Sequence, residues 1–180
     1  MTKIAMGLSF GIALSLVIIA GAELFTGNAF VLYDGWRSKT VTLTDVIRLW
    51  VVCYLGNWFG AIVLSLLFYG AAGTAGGVGQ ALANAAAMKM SLPPLVLFLR
   101  GILCNVLVCL AVWCGFRCKS DSGKLIMTFW CLYAFFTCGF EHSVANMTVP
   151  TLGLLNPAGM AVSLAGYGYN LLWVTLGNLV

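Results

Sequence analysis

Long apolar runs separated by short polar interruptions dominate the chain, covering roughly residues 4–22, 27–35, 47–70, 93–116, 124–140, 144–150 and 161–180. A membrane-spanning helix needs about 20 residues of this kind, so the runs predict an all-α integral membrane protein with about four to six helices. The stretch 70–94 is expected to lie outside the membrane, as is the loop from about Pro150 to Ser163. The first run follows a basic residue, Lys3, as a signal peptide would. It continues to Glu23 without a cleavage site and further runs follow, so it reads as a membrane helix.

Two runs are interrupted alike. The first is broken at Gly21-Ala-Glu23-Leu24-Phe25-Thr26-Gly27-Asn28, and another at Cys138-Gly139-Phe140-Glu141-His142-Ser143-Val144-Ala145-Asn146. Both breaks contain Glu-x4-Asn, and each is followed by Leu-Gly-Asn, ending at Asn57 and Asn178. From each Glu to that Asn the separations are 34 and 37 residues. The matching order predicts one membrane domain over 1–180, built as an internal repeat with a partial first copy over 4–70 and a second over 93–180. The helix at 93–116 lies between the breaks, so the two copies run in opposite directions, as in transporters and channels whose pathway passes where paired broken helices meet. The second copy is preceded by a helix and the first is not, and the last run stops just after its Leu-Gly-Asn. On this reading the chain lacks one N-terminal span and the end of its last span.

Composition excludes a water-soluble surface: hydrophobic residues make up 62% of the chain, charged ones 8%, and the mean hydropathy is +1.01. The net charge of +4 is small and scattered, so nucleic acid is not expected as a partner. Arg37, Lys39 and Arg48 group in one loop and Arg117, Lys119 and Lys124 in another. The positive-inside rule places both in the cytoplasm. The seven cysteines lie mostly in apolar runs without CxxC pairs, which argues against a disulfide framework or a zinc site.

Broken helices survive in membranes only where their freed backbone is buried in protein or lines a wet cavity. Their free N–H groups attract anions, so both breaks are candidate anion sites. Glu23 and Glu141 are expected to hold the broken backbone, accepting hydrogen bonds from loop N–H groups and from Asn28 and Asn146. His142, the single histidine, is either a buried imidazole satisfying a carbonyl or a pathway group that donates a hydrogen bond or a proton to a weak-acid anion. Thr26 is either a helix cap or a second pathway donor. Leu24, Phe25, Phe10, Leu14 and Phe135 are candidates for an apolar constriction, against packing as the plainer reading of each. Lys89 either draws anions into an outer vestibule or anchors at the membrane surface. Arg100 is expected to snorkel to the outer interface. No catalytic constellation, metal set or cofactor motif is present, and the Gly-rich run at 70–79 lacks the Gly-Lys-Ser/Thr of a phosphate loop.

Residues 20–28 (Ala-Gly-Ala-Glu-Leu-Phe-Thr-Gly-Asn) and 140–147 (Phe-Glu-His-Ser-Val-Ala-Asn-Met) resemble the formate/nitrite transporter family. So do 103–113 (Leu-Cys-Asn-Val-Leu-Val-Cys-Leu-Ala-Val-Trp) and 170–178 (Asn-Leu-Leu-Trp-Val-Thr-Leu-Gly-Asn), which look most like its nitrite branch. The resemblance implies an aquaporin-like fold of six spans, a homo-pentamer with one pore per subunit, and a multi-pass protein of the bacterial inner membrane. It also implies His142 as the central pore histidine, with Thr26 in the loop at the first break and Phe10, Leu14, Leu24, Phe25 and Phe135 at the constriction. Lys89 then resembles the lysine at the pore entrance, and Asn105 a polar pore-side residue. Expected substrates are small monovalent weak-acid anions, nitrite first and formate or hydrosulfide as alternatives, with protons involved. A neutral-solute channel and a haem-carrying membrane subunit remain the rivals from other classes, the latter short of a second axial histidine.

Overall fold

The computed structural model describes residues 2–180, with side chains from residue 7 onward except 9 and 10. The described residues form helices throughout: α1 (Thr2–Ala20), α2 (Phe25–Arg37), α3 (Leu43–Gly70), α4 (Gly76–Ser91), α5 (Pro94–Arg117), α6 (Asp121–Cys138), α7 (Ser143–Leu155) and α8 (Leu164–Leu179). By length and composition α3 and α5 can each cross a membrane, and up to four spans result if each bent pair counts as one. Those pairs are α1 with α2, bent by 45°, and α6 with α7, bent by 52°.

Local chemistry sets the boundaries. Thr42 and Asp45 form a reciprocal capping box at the start of α3, while Ser120 and Ser163 cap α6 and α8 through Gly123 N–H and Gly166 N–H. Pro94 opens α5, where its missing N–H costs nothing. Both breaks begin with a left-handed glycine, Gly21 at φ 70° and Gly139 at φ 72°. A side chain there would strain the backbone, so glycine ends each half-helix two residues before its glutamate.

The structure corrects two expectations and adds a helix. Within the stretch 70–94, α4 fills most of the length and packs against α7 and α8. Its Gly and Ala residues hid it from a hydropathy reading but suit it for packing, since Ala83 and Ala86 are fully buried. Pro150 lies inside α7 rather than opening a loop, and the helix runs on to Leu155. The apolar run from 161 becomes helical only at Leu164.

Two buried clusters form the interior. Leu14 of α1, Cys104, Val108 and Ala111 of α5, and Leu132 and Phe135 of α6 make one, with Leu24 against it. Ala61, Met147, Tyr167 and Leu171 make the other. The outside stays apolar: Phe59, Leu67 and Phe116 are 71%, 67% and 70% exposed, a surface suited to lipid or to neighbouring subunits rather than to water.

Candidate functional site: the meeting of two helix breaks

The two breaks are wired alike. At the first, Phe25 N–H donates to Asn57 Oδ1 (3.0 Å), Asn57 Nδ2 donates to Glu23 O (3.0 Å), and Asn28 Nδ2 donates to the Glu23 carboxylate (2.5 Å). At the second, Ser143 N–H donates to Asn178 Oδ1 (2.8 Å), Asn178 Nδ2 to Glu141 O (3.1 Å), and Asn146 Nδ2 to the Glu141 carboxylate (2.6 Å). The expected Glu–Asn pairs are present in both. The loop N–H groups, however, go to Asn57 and Asn178 and not to the glutamates. At each break an asparagine on a neighbouring helix does the capping instead. These asparagines were visible in the sequence as repeat markers, and an Asn within an apolar helix is itself the signal of such a role.

The second break carries further ties. Lys89 Nζ pairs with the Glu141 carboxylate at 2.8 Å, and Asn170 accepts from Asn146 (2.8 Å) while donating to Lys89 O (2.8 Å). Lys89 is therefore ion-paired with the break rather than free at the membrane surface, and Glu141, 4% exposed, is buried but neutralised. Glu23 at the first break is exposed. Arg100, in the half-buried second turn of α5, gives its carbonyl to Glu141 N–H (3.2 Å).

His142 N-caps α7, its Nδ1 accepting from Ala145 N–H at 3.1 Å. An N–H can only donate, so Nδ1 is the bare nitrogen and the ring proton sits on Nε2. Nε2 lies 2.9 Å from Thr26 Oγ1, across 116 residues of chain. Nε2–H therefore donates to the Thr26 oxygen and leaves the Thr26 hydroxyl hydrogen free to donate onward. Thr26 makes no cap of its own: α2 is capped at Leu24 without a side-chain bond. Thr26 is fully buried and His142 is 6% exposed, so this contact between the breaks is shielded from bulk solvent.

Phe135 stacks on the His142 ring, with centroids 5.8 Å apart and planes 18° apart. Leu14, Leu24 and Phe135 converge in one cluster, joined there by Val108, which the sequence did not single out. Phe25 is buried but turned toward α3, edge-on to Tyr54 at 4.9 Å. The Phe10 side chain lies outside the described residues. Asn105 is buried and donates from Nδ2 to the Asn178 carbonyl. Among the described residues no group of three or more His, Cys, Asp or Glu is placed to hold a metal.

Comparison with known proteins gives this geometry a context. The family profile described as Formate/nitrite transporter matches residues 1–180. The nitrite transporter NirC of Escherichia coli strain K12 is 42% identical over 97% of this chain. The chain spans 65% of that relative's length. A solved structure titled "FNT family ion channel" superposes with a TM-score of 0.93 at 43% identity, over 98% of this chain and 71% of that one. A second, titled "Pentameric formate channel with formate bound", gives 0.83 at 29% identity, over 98% and 77%. With a profile match over its whole length, the two broken helices and the paired Glu-x4-Asn motifs, this multi-pass membrane chain belongs to the formate/nitrite transporter family.

Proposed function

We propose that the protein containing this chain conducts small monovalent weak-acid anions across a bacterial inner membrane, nitrite foremost, through a pore passing where the two breaks meet. The observation that carries this reading is the Thr26–His142 contact: one donor pair, drawn from both breaks, set beside an apolar cluster. A hydrated anion entering such a cluster sheds water, and a hydroxyl donor at that depth replaces part of what it loses. Likeness to the nitrite transporter NirC favours nitrite, and the formate-bound neighbour keeps formate as the alternative. Hydrosulfide, as a third small weak-acid anion, fits the same donor. A homo-pentamer, like the pentameric formate channel, and two inverted repeats over 4–70 and 93–180 complete the proposal.

The ring as capped is neutral, and through Thr26 it presents a hydrogen bond rather than a proton. Handing a proton to the anion requires the ring first to take one up at Nδ1, which sets two N–H groups face to face and forfeits the Ala145 cap. Hydrogen-bonded passage is thus the resting chemistry, and passage as the neutral acid needs the cap to open.

The test is flux into proteoliposomes of the full-length protein, comparing nitrite, formate, hydrosulfide and small neutral solutes, with His142→Asn alongside. Anion flux that exceeds neutral-solute flux and falls in His142→Asn supports the reading. Flux of neutral solutes alone overturns it. If the pH dependence of flux is unchanged in His142→Asn, proton transfer by that ring is excluded.

A further inference from the structure

The buried face of α6 consists of Thr128, Leu132 and Phe135, spaced as one stripe of a helix. Leu132 and Phe135 belong to the apolar cluster with Leu14 and Val108, and Phe135 stacks on the His142 ring. Thr128 continues the stripe toward Asp121, about 10 Å along the helix from Phe135. The basic loop before Asp121 marks the cytoplasmic end of α6. From His142 the stripe therefore passes through the apolar cluster and ends, on its cytoplasmic side, in a hydroxyl. That hydroxyl differs from others in these helices. Ser15, Ser65, Thr137 and Thr151 each donate to the carbonyl four residues back, which satisfies a hydroxyl within its own helix. Thr128 Oγ1 is buried without a partner.

We propose that Thr128 is a second hydrogen-bonding station for the permeating anion, on the cytoplasmic side of the apolar cluster, as Thr26 is at the breaks. The plainer reading is packing, and two observations weigh against it. A buried hydroxyl without a partner costs stability that valine, of the same shape, would not. The residue is also 0% exposed on a helix packed between α1 and α5, so a segment or subunit outside these helices cannot reach it to supply the missing bond. What can reach it is an ion moving along the stripe. Thr26 is enclosed to the same degree, so both hydroxyls meet an ion only while the apolar side chains part. A hydroxyl suits either form of a weak acid, since it donates to the anion and accepts from the neutral acid. An ion leaving the cluster toward the cytoplasm thus regains one bond before it regains its water.

This role rests on the anion-pore reading, and the experiment separates the two. Full-length Thr128→Val, which keeps the shape and loses the hydroxyl, is compared with Thr128→Ser, which keeps the donor. Initial-rate flux of nitrite, formate and a small neutral solute is followed in proteoliposomes, beside thermal unfolding of each protein in one detergent. Thr128→Val is expected to lower the flux of whichever anion the wild type carries about tenfold, the rate equivalent of one lost hydrogen bond. Its neutral-solute flux should stay at the wild-type level and its Tm should be unchanged or raised. Thr128→Ser is expected to keep most of the anion flux. Thr128→Ala, equally without a hydroxyl, takes the place of the valine variant should that fail to assemble. A lowered Tm with anion flux retained makes the hydroxyl a structural bond and overturns the proposal. An equal fall in anion and neutral-solute flux also overturns it, because it marks a change of pore shape. A wild type that carries no anion sinks the pore reading itself, whereas an active wild type matched by Thr128→Val sinks only the role of Thr128.

Discussion

Thr26 shows how one hydroxyl can matter more than the charges around it. The charged groups at the second break are already paired: Lys89 with Glu141, and Glu141 with Asn146. What stays uncommitted is the Thr26 hydroxyl hydrogen, since Nε2–H fills its oxygen. Thr26→Val keeps the shape and removes that donor, so maximal anion flux should fall about tenfold or more, while Thr26→Ser retains most of it. Initial-rate flux in proteoliposomes checks both. The ion pair makes a stability statement instead. Lys89→Met strands a carboxylate that is buried, and should destabilise the protein by about 3 kcal/mol, the lower end for such losses because Lys89 keeps 20% of its side chain exposed. The double variant Lys89→Met/Glu141→Gln removes the stranded charge and should regain most of it. Thermal unfolding of the wild type, Lys89→Met, Glu141→Gln and the double variant in one detergent closes this cycle, and a double-variant loss equal to the sum of the two single losses would show that no ion-pair coupling exists.

At the scale of elements, the breaks were legible because they violate a rule: a carboxylate and glycines interrupt an apolar run, and do so twice in one order. The left-handed Gly21 and Gly139 give this a conformational cause. Gly21→Ala meets no atom within 4 Å, so its cost is backbone strain alone, about 1–2 kcal/mol. Gly139→Ala should lose at least as much, since the residue caps α6 with bonds to Phe135 O and Phe136 O. Chemical unfolding of the two variants beside the wild type tests the parity. What the sequence concealed also has physical reasons. Helix α4 carries little hydropathy because its job is close packing by Ala83 and Ala86 against neighbours, which needs small residues rather than greasy ones. Pro150 reads as a boundary, yet within α7 only one backbone bond is lost. The pairing of Lys89 with Glu141 joins residues far apart in sequence, so no local pattern announces it; Asn57 and Asn178 stand out as asparagines in apolar helices, but which N–H each caps is set by the fold. Thr26 and His142 were each visible as oddities, but their contact is a property of the fold.

For the whole molecule, direction through the membrane is the property on which the repeat stands or falls. Arg37 ends α2 and Lys39 lies in the loop from α2 to α3, while the loop bearing Lys119 joins α5 to α6. Cytoplasmic loops carry the excess of Lys and Arg, so both belong on one face. The 156–163 connection has no basic residue and belongs on the other. If the first broken pair descends into the cytoplasm and the second rises from it, the two breaks are antiparallel, and their half-helix starts can face one pore from opposite sides. Single cysteines placed at Ser38, Lys119 and Ala158 in a cysteine-free version of the full-length protein read this directly. With a membrane-impermeant maleimide applied to intact cells, Ala158→Cys should label at once, while Ser38→Cys and Lys119→Cys should label only after the membrane is opened. Labelling of positions 38 and 119 from opposite sides would make the two breaks parallel. The shared wiring of their asparagines would then be a local capping solution used twice, and the antiparallel pore would have no basis.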